Sequence, residues 1–196
     1  MKNETQYQQW HVPLSEGQMK LGAARQSLRD VGGRQDQIPF IVQLIENPRF
    51  DVPFIEMFPG AMDLEMHDYV HIVLGRGLMP KDEAFVLGFT MGSTNRLSAF
   101  EERLYEFVAR YLYPGKYRFG DEEAQVFRDG VRLACVSDCR ALVKFDYGAH
   151  LGAPIADVRA ALAIEEDLLR AYFAIEKRRY PNAAESQRLL RGASDQ

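Results

Sequence analysis

This 196-residue sequence has only two cysteines, Cys135 and Cys139, four positions apart in a helical pattern. Two cysteines are too few for the disulfide framework of a small secreted domain, so we expect both to be reduced and buried in the core. No window reaches the roughly 18 apolar residues that a transmembrane helix needs, and the N-terminus lacks the apolar segment of a signal peptide. We therefore expect a cytoplasmic protein whose contact with a membrane is at most peripheral.

The sequence also lacks a block of basic residues. It has 24 basic and 28 acidic residues, which give a net charge of -4. A nucleic-acid partner is not expected, because no row of Lys and Arg could neutralise neighbouring phosphates. The apolar fraction of 46% is typical of a globular protein with one core. With no internal repeat or low-complexity linker, we predict one domain over residues 1–196, with frayed ends at 1–14 and 182–196.

Signals for β-strands are missing as well. No run alternates with period two over more than about four residues, and no Asn-Gly or Asp-Gly turn separates two apolar runs. The sequence therefore predicts an all-α protein, a single-domain bundle of about six to eight helices. The predicted helices cover residues 15–31, 38–47, 63–75, 80–95, 98–113 and 121–145, and then 155–180 as one long helix or two short ones, with an irregular connector at 49–61.

Three glycines fall inside these predicted helices. Gly130 is expected to weaken the helix at 121–145, because glycine has a low helix propensity. Gly88 and Gly92 lie four apart, on one face, and favour close packing of helices over entry of a ligand.

Two of the four histidines lie in the five-residue string HDYVH at 67–71. Residues four apart lie on one face of a helix, so His67 and His71 project in the same direction. Zinc enzymes with an HExxH motif use this arrangement, because two imidazole nitrogens one turn apart can reach one ion at about 2.0–2.1 Å. Asp68 could bind the same ion, or could orient an imidazole by accepting its other N–H.

A metal site needs a further ligand, and the next predicted helix offers one. Pro80 suits the first position of a helix, and the turn GRGLM at 75–79 would fold the two helices into a hairpin. Of the two acidic residues in the first turn, Glu83 is preferred to Asp82, because it shares a stripe with Leu87. From these residues alone two interpretations stay open, a metal site and a pair of core histidines satisfied by nearby acceptors.

The spacing H-D-x-x-H-x11-E, from His67 to Glu83, resembles the signature of the Coq-four proteins of coenzyme Q (ubiquinone) biosynthesis, an α-helical family. The similarity continues into the apolar string AFVLGFT at 84–90. The resemblance implies a divalent metal, usually zinc, with iron, manganese or magnesium as alternatives. It implies that the metal ligands are His67, Asp68, His71 and Glu83.

The resemblance also implies a hydrophobic ligand, a prenylated quinone precursor, with removal of a ring carboxyl group as one reaction. A metal with an open position could act as a Lewis acid or lower the pKa of a water molecule, whereas a closed coordination shell would be structural. Apolar residues of the hairpin could line a pocket, although such residues at helical spacing usually form the core. These residues are Ile72, Val73, Leu74, Phe85, Leu87, Phe89 and Met91.

Two other functions are open. An HD-type metal-dependent phosphohydrolase would use the pair His67-Asp68, but it also needs a second histidine and aspartate, for which His11 and Asp138 or Asp146 are candidates. A non-enzymatic interaction domain would need only structural histidines. The apolar helices are also compatible with a homodimer.

Overall fold

The computed structural model describes residues 9–31, 64–94 and 119–190. All regular elements in these ranges are helical, which confirms the all-α class. The predicted helices at 38–47 and 98–113 and the connector at 49–61 lie outside the described residues. Seven α-helices occur in the described ranges: α1 (Leu21–Val31), α2 (Leu64–Leu74), α3 (Pro80–Ser93), α4 (Asp121–Val136), α5 (Ile155–Ala161), α6 (Glu166–Arg179) and α7 (Ala184–Arg188). None of them is long and apolar enough to cross a bilayer.

Helix α2 ends where the sequence predicts, one residue before Gly75. Gly75 has φ of 66°, a left-handed conformation that glycine adopts without strain. Its N–H donates to the Ile72 carbonyl at 3.2 Å, and the Arg76 N–H donates to the His71 carbonyl at 2.9 Å. These two bonds form a Schellman motif, which satisfies carbonyls that the end of the helix would otherwise leave unpaired.

Helix α3 begins at Pro80 and confirms the helix predicted over 80–95. The Asp82 carboxylate accepts a hydrogen bond from the Met79 N–H at 3.1 Å and so caps the N-terminus of the helix. Every residue of α3 except Pro80 and Glu83 is buried. Such a helix lies in the interior of its domain, so any polar group that it carries has to find partners there.

The backbones of α3 and α4 touch at glycines. A Cβ on Gly88 would lie 2.1 Å from the Phe127 carbonyl oxygen, and one on Gly92 would lie 2.5 Å from a carbonyl oxygen of α4. A Cβ on Gly130 would lie 2.8 Å from the Phe85 carbonyl oxygen. The packing role predicted for Gly88 and Gly92 is confirmed. Gly130 is a contact point between the two helices, and α4 continues through it.

Helix α1 begins at Leu21, later than the start predicted at residue 15. The N–H groups of Leu21 and Gly22 donate to the carbonyls of Ala153 and Leu151 at 3.0 and 2.9 Å. The first turn of α1 is therefore satisfied by a distant backbone segment, which no local capping pattern indicates. A 3-10 turn at Leu14–Glu16 occupies the place of the predicted first turn.

The prediction of one helix over 121–145 is wrong in its last third. Helix α4 ends at Val136, and the chain continues through an irregular segment to a 3-10 turn at Leu142–Lys144. The Arg140 N–H donates to the Leu162 carbonyl at 2.9 Å, so a tertiary contact replaces the helical hydrogen bond there.

The two cysteines consequently lie in different environments. Cys135 is on α4 and exposed, whereas Cys139 follows the helix and is buried. The two cysteines form no disulfide, but the expectation that both lie in the core is wrong for Cys135. Burial, with a smaller contribution from the charge of Glu165, raises the pKa of the Cys139 thiol to about 12.

The sequence predicts either one long helix or two short ones over 155–180. The structure has two, α5 and α6. The continuation of this segment is packed as far as Leu189, within the range 182–196 where the sequence pattern predicts a frayed end. Helix α7 is short, but its Ser186 and Arg188 are buried. At the other end of the chain Trp10 and Val12 are also buried. These contacts depend on partners distant in sequence, so they are invisible in local composition.

Candidate metal centre

Three side chains of α2 and α3 meet at one point. The Nε2 atoms of His67 and His71 are 3.2 Å apart. Glu83 Oε2 lies 3.3 Å from the first of these nitrogens and 3.5 Å from the second. The three atoms form a nearly equilateral triangle. In the ranges that the structure describes, this is the only group of three or more His, Cys, Asp or Glu side chains arranged closely enough to hold a metal ion.

The size of this triangle fits a tetrahedral ion. Ligand atoms bound at about 2.05 Å in tetrahedral geometry lie about 3.3 Å apart, and the three observed distances run from 3.2 to 3.5 Å. Two imidazole nitrogens and one carboxylate oxygen are a ligand set of catalytic zinc sites, which leave a fourth position open. The residues present therefore fit zinc.

The ring of His71 is held by a backbone carbonyl. Its Nδ1 lies 2.6 Å from the Gly77 carbonyl oxygen. When Nδ1–H donates to this oxygen, the lone pair of Nε2 faces the centre of the triangle, which is the tautomer that a metal ligand requires. The sequence identifies GRG at 75–77 only as a turn, since the contribution of Gly77 is a carbonyl group that carries no side-chain signal.

Two buried polar atoms of the cluster have no hydrogen-bond partner. His67 Nδ1 and Glu83 Oε1 are both unpaired within the part of the chain that the structure describes. Leaving a buried polar atom unpaired costs about 1–3 kcal/mol. Neither atom belongs to the triangle, so hydrogen bonding among the three side chains leaves His67 and Glu83 only partly satisfied.

The electrostatics of the triangle favour a cation. Burial alone would raise the pKa of the Glu83 carboxyl, but the charges and hydrogen bonds of His71 and His67 outweigh burial and hold that pKa well below its usual value. Burial likewise disfavours the charged form of His71, but the Glu83 charge prevails and raises the pKa of its imidazole. Glu83 is thus an ionised carboxylate at neutral pH, aimed at two nitrogen donors.

Asp68 lies beside the triangle and is not brought into it. Its Oδ2 is 3.9 Å from Arg25 Nε, and its side chain is 16% exposed. Burial raises the pKa of the Asp68 carboxyl, although nearby His67 and His71 act in the opposite direction. Its role as a metal ligand stays a prediction, whereas His67, His71 and Glu83 come together as the sequence predicts.

The other candidate ligands do not gather at this point. His11, Asp138 and Asp146 are absent from the cluster found in the described ranges, so the second histidine and aspartate that a phosphohydrolase would need are not supplied there. The apolar residues of the hairpin form part of the core. They are Ile72, Val73, Leu74, Phe85, Leu87, Phe89 and Met91.

No family model, curated protein or solved structure matches this chain, so its function is inferred from the chemistry of the site.

Proposed function

We propose that this protein binds one divalent metal ion through His67, His71 and Glu83. The observation that supports the proposal most strongly is the triangle of two imidazole nitrogens and one carboxylate oxygen, with edges of 3.2 to 3.5 Å. Nitrogen donors favour zinc or iron over magnesium, which prefers oxygen ligands and octahedral geometry. Zinc is the first candidate, because the edges match its tetrahedral geometry.

Three protein ligands would leave one position for a ligand from solution. A bound divalent ion would supply Lewis-acid chemistry at that position. Both histidines are fully buried, while the Glu83 and Asp68 side chains are each 16% exposed, so solvent reaches these two acidic side chains but neither imidazole. His71 is oriented by Gly77, and Glu83 supplies the negative charge that offsets part of the charge of the ion.

The motif from His67 to Glu83 supports a hydrophobic ligand of the prenylated quinone class. Buried apolar residues surround the two histidines, so water is largely excluded from the histidine side of the triangle. Lipids extracted from protein purified without detergent can be identified by mass spectrometry. We expect a long-chain isoprenoid to copurify, whereas turnover of phosphomonoesters without bound lipid would favour the phosphohydrolase.

Elemental analysis of protein purified without chelators tests metal binding. We expect about one metal ion per chain in the wild type, loss of the metal in His71→Ala and Glu83→Ala, and full retention in His150→Ala. His150 is a suitable control because its Nδ1 bonds to the Asp146 carbonyl, outside the cluster. A folded wild-type protein that contains no metal and takes up neither zinc, iron nor manganese would contradict the proposal.

A further inference from the structure

A network of buried charges lies behind the hairpin that carries the three metal-binding residues. Arg76, in the hairpin turn, donates to both carboxylate oxygens of Glu176 on α6, at 3.0 and 2.7 Å. Ser186 of α7 donates to the same carboxylate at 2.9 Å. The Arg76 guanidinium also lies 3.8 Å from Asp82 and is stacked on the Phe85 ring, 3.9 Å from its centroid. The hairpin turn is thereby tied to the last two helices of the described chain.

Asp82 connects this network to the metal-binding residues. It is fully buried and directly precedes Glu83 in the first turn of α3. Its Oδ2 accepts the Met79 N–H at 3.1 Å, and the same oxygen forms a close charged hydrogen bond with Arg188 Nη2. The start of α3, and with it the position of Glu83, is therefore fixed by a residue of α7.

Arg188 also packs against the hairpin turn. A Cβ on Gly77 would lie 1.9 Å from Arg188 Nη2 and 2.5 Å from the Trp10 carbonyl oxygen, so the guanidinium lies directly on the Gly77 backbone. The carbonyl of Gly77 is the group that orients His71, at 2.6 Å. One guanidinium thus contacts both Gly77, which orients one proposed ligand, and Asp82, which precedes another.

We propose that Arg188 is a positioning residue for the metal site: by holding Gly77 and Asp82, it keeps His71 and Glu83 at the spacing of a tetrahedral ion before the ion binds. The inference rests on the proposed metal binding. Ligands fixed in advance lower the ordering cost of binding, and loss of the groups that orient them typically weakens metal affinity about 10–100-fold.

The planar guanidinium is specifically suited to this position. Its several N–H donors lie in a fixed fork, so Arg188 can bond Asp82 while the same guanidinium lies against the Gly77 backbone. A lysine keeps the positive charge but is a single point donor on a flexible stem. Arg188→Lys therefore separates positioning from simple charge neutralisation of Asp82.

The test compares Arg188→Lys and Arg188→Gln with Arg179→Gln as the matched control. Arg179 pairs with Asp129 on α4 and contacts neither the hairpin turn nor the three proposed ligands. Zinc affinity is measured by competition with a chromophoric chelator. We expect affinity about 10-fold weaker in Arg188→Lys, up to about 100-fold weaker in Arg188→Gln, and unchanged in Arg179→Gln.

A second readout does not depend on the metal. The ¹⁵N shifts of the His71 imidazole in metal-free protein report which ring nitrogen carries the proton. At a pH at which the His71 imidazole is neutral, we expect the Nδ1–H tautomer in the wild type and a mixture of tautomers in the Arg188 variants. Should Arg188→Gln fail to fold, Arg188→Lys provides the measurement.

The two proposals fail in distinguishable ways. If folded wild-type protein binds neither zinc, iron nor manganese, the proposed function is wrong, and the His71 tautomer still tests positioning. If wild-type protein binds zinc, and folded Arg188 variants bind it equally well with an unchanged His71 tautomer, Arg188 only stabilises the fold and the positioning role is refuted.

Discussion

Among the residues of α3 that follow Pro80, Glu83 is the one that is only partly buried. Glu83→Gln keeps its size and removes its charge. We expect zinc affinity to fall by more than the 10–100-fold typical of residues that only orient ligands, because a ligand itself is lost. Chelator competition measures this loss.

Glu65→Gln is the matched control for this substitution. Glu65 lies on the exposed face of the same hairpin, with its side chain 57% exposed, and does not belong to the triangle. Equal zinc affinity in Glu83→Gln and Glu65→Gln would remove Glu83 from the ligand set.

The two thiols should react at very different rates. Cys135 is exposed, whereas burial raises the pKa of Cys139 to about 12, so almost no Cys139 thiolate exists at pH 8 in the folded protein. We expect an aromatic disulfide reagent to modify one thiol per chain quickly and the second only after unfolding by guanidinium. Mass spectrometry of the peptides identifies which thiol reacted. Modification of both at similar rates in folded protein would show that Cys139 is accessible.

Single residues could be predicted where their chemistry follows from local spacing. His67 and His71 lie one turn apart on a helix, and Glu83 follows a Gly-containing turn. The sequence therefore predicts that these three side chains lie close together. The contributions of Gly77 and Arg188 to the site could not be predicted from the sequence. One is a backbone carbonyl, and the other is a contact across more than a hundred residues, for which the sequence has no local pattern.

At the scale of helices, the close contact of α3 with α4 depends on Gly130. Alanine in place of an exposed helical glycine stabilises by about 1 kcal/mol. At residue 130 its Cβ would lie 2.8 Å from a backbone oxygen and 3.0 Å from a backbone nitrogen of α3, so the helices would have to separate. We expect Gly130→Ala to lower the free energy of unfolding by about 1–3 kcal/mol, measured by urea denaturation.

Gly152→Ala is the control, because a Cβ there meets no atom within 4 Å. We expect it to change stability by less than about 0.5 kcal/mol. Stabilisation by Gly130→Ala would mean that the two helices are not packed through their backbones.

Boundaries of helices could be predicted where the stop signal is local. Gly75 ends α2 in a left-handed conformation, and Pro80 begins α3, so both ends of the hairpin turn follow from the residues themselves. The start of α1 and the end of α4 were mispredicted for a common reason. In both places the backbone N–H groups bond to segments distant in sequence, at Ala153 and Leu162, and local pattern contains no information about such partners.

At the scale of the whole molecule, the buried pair Arg76 and Glu176 joins the hairpin turn to α6. Both side chains are fully inaccessible to solvent. Removing one partner of such a pair leaves an uncompensated buried charge, so we expect Glu176→Gln to lower the free energy of unfolding by about 3 kcal/mol. Chemical denaturation followed by circular dichroism measures the change.

Arg179→Gln again serves as the control, since it breaks an ion pair whose arginine is 39% exposed. We expect the loss of that ion pair to lower the free energy of unfolding by at most about 1 kcal/mol. Similar, small losses of unfolding free energy in both variants would show that Arg76 is not held by Glu176 in solution.

The homodimer and the single domain over 1–196 stay predictions, because packing within one described chain does not bear on either of them.

Isothermal titration of metal-free protein with zinc tests the metal site most directly. We expect one ion bound per chain by wild-type protein and by His150→Ala, and no specific binding by His67→Ala, His71→Ala or Glu83→Ala in their folded forms. Folded wild-type protein that binds neither zinc, iron nor manganese, or that binds zinc equally well after His71→Ala, would contradict binding of a metal ion at this site.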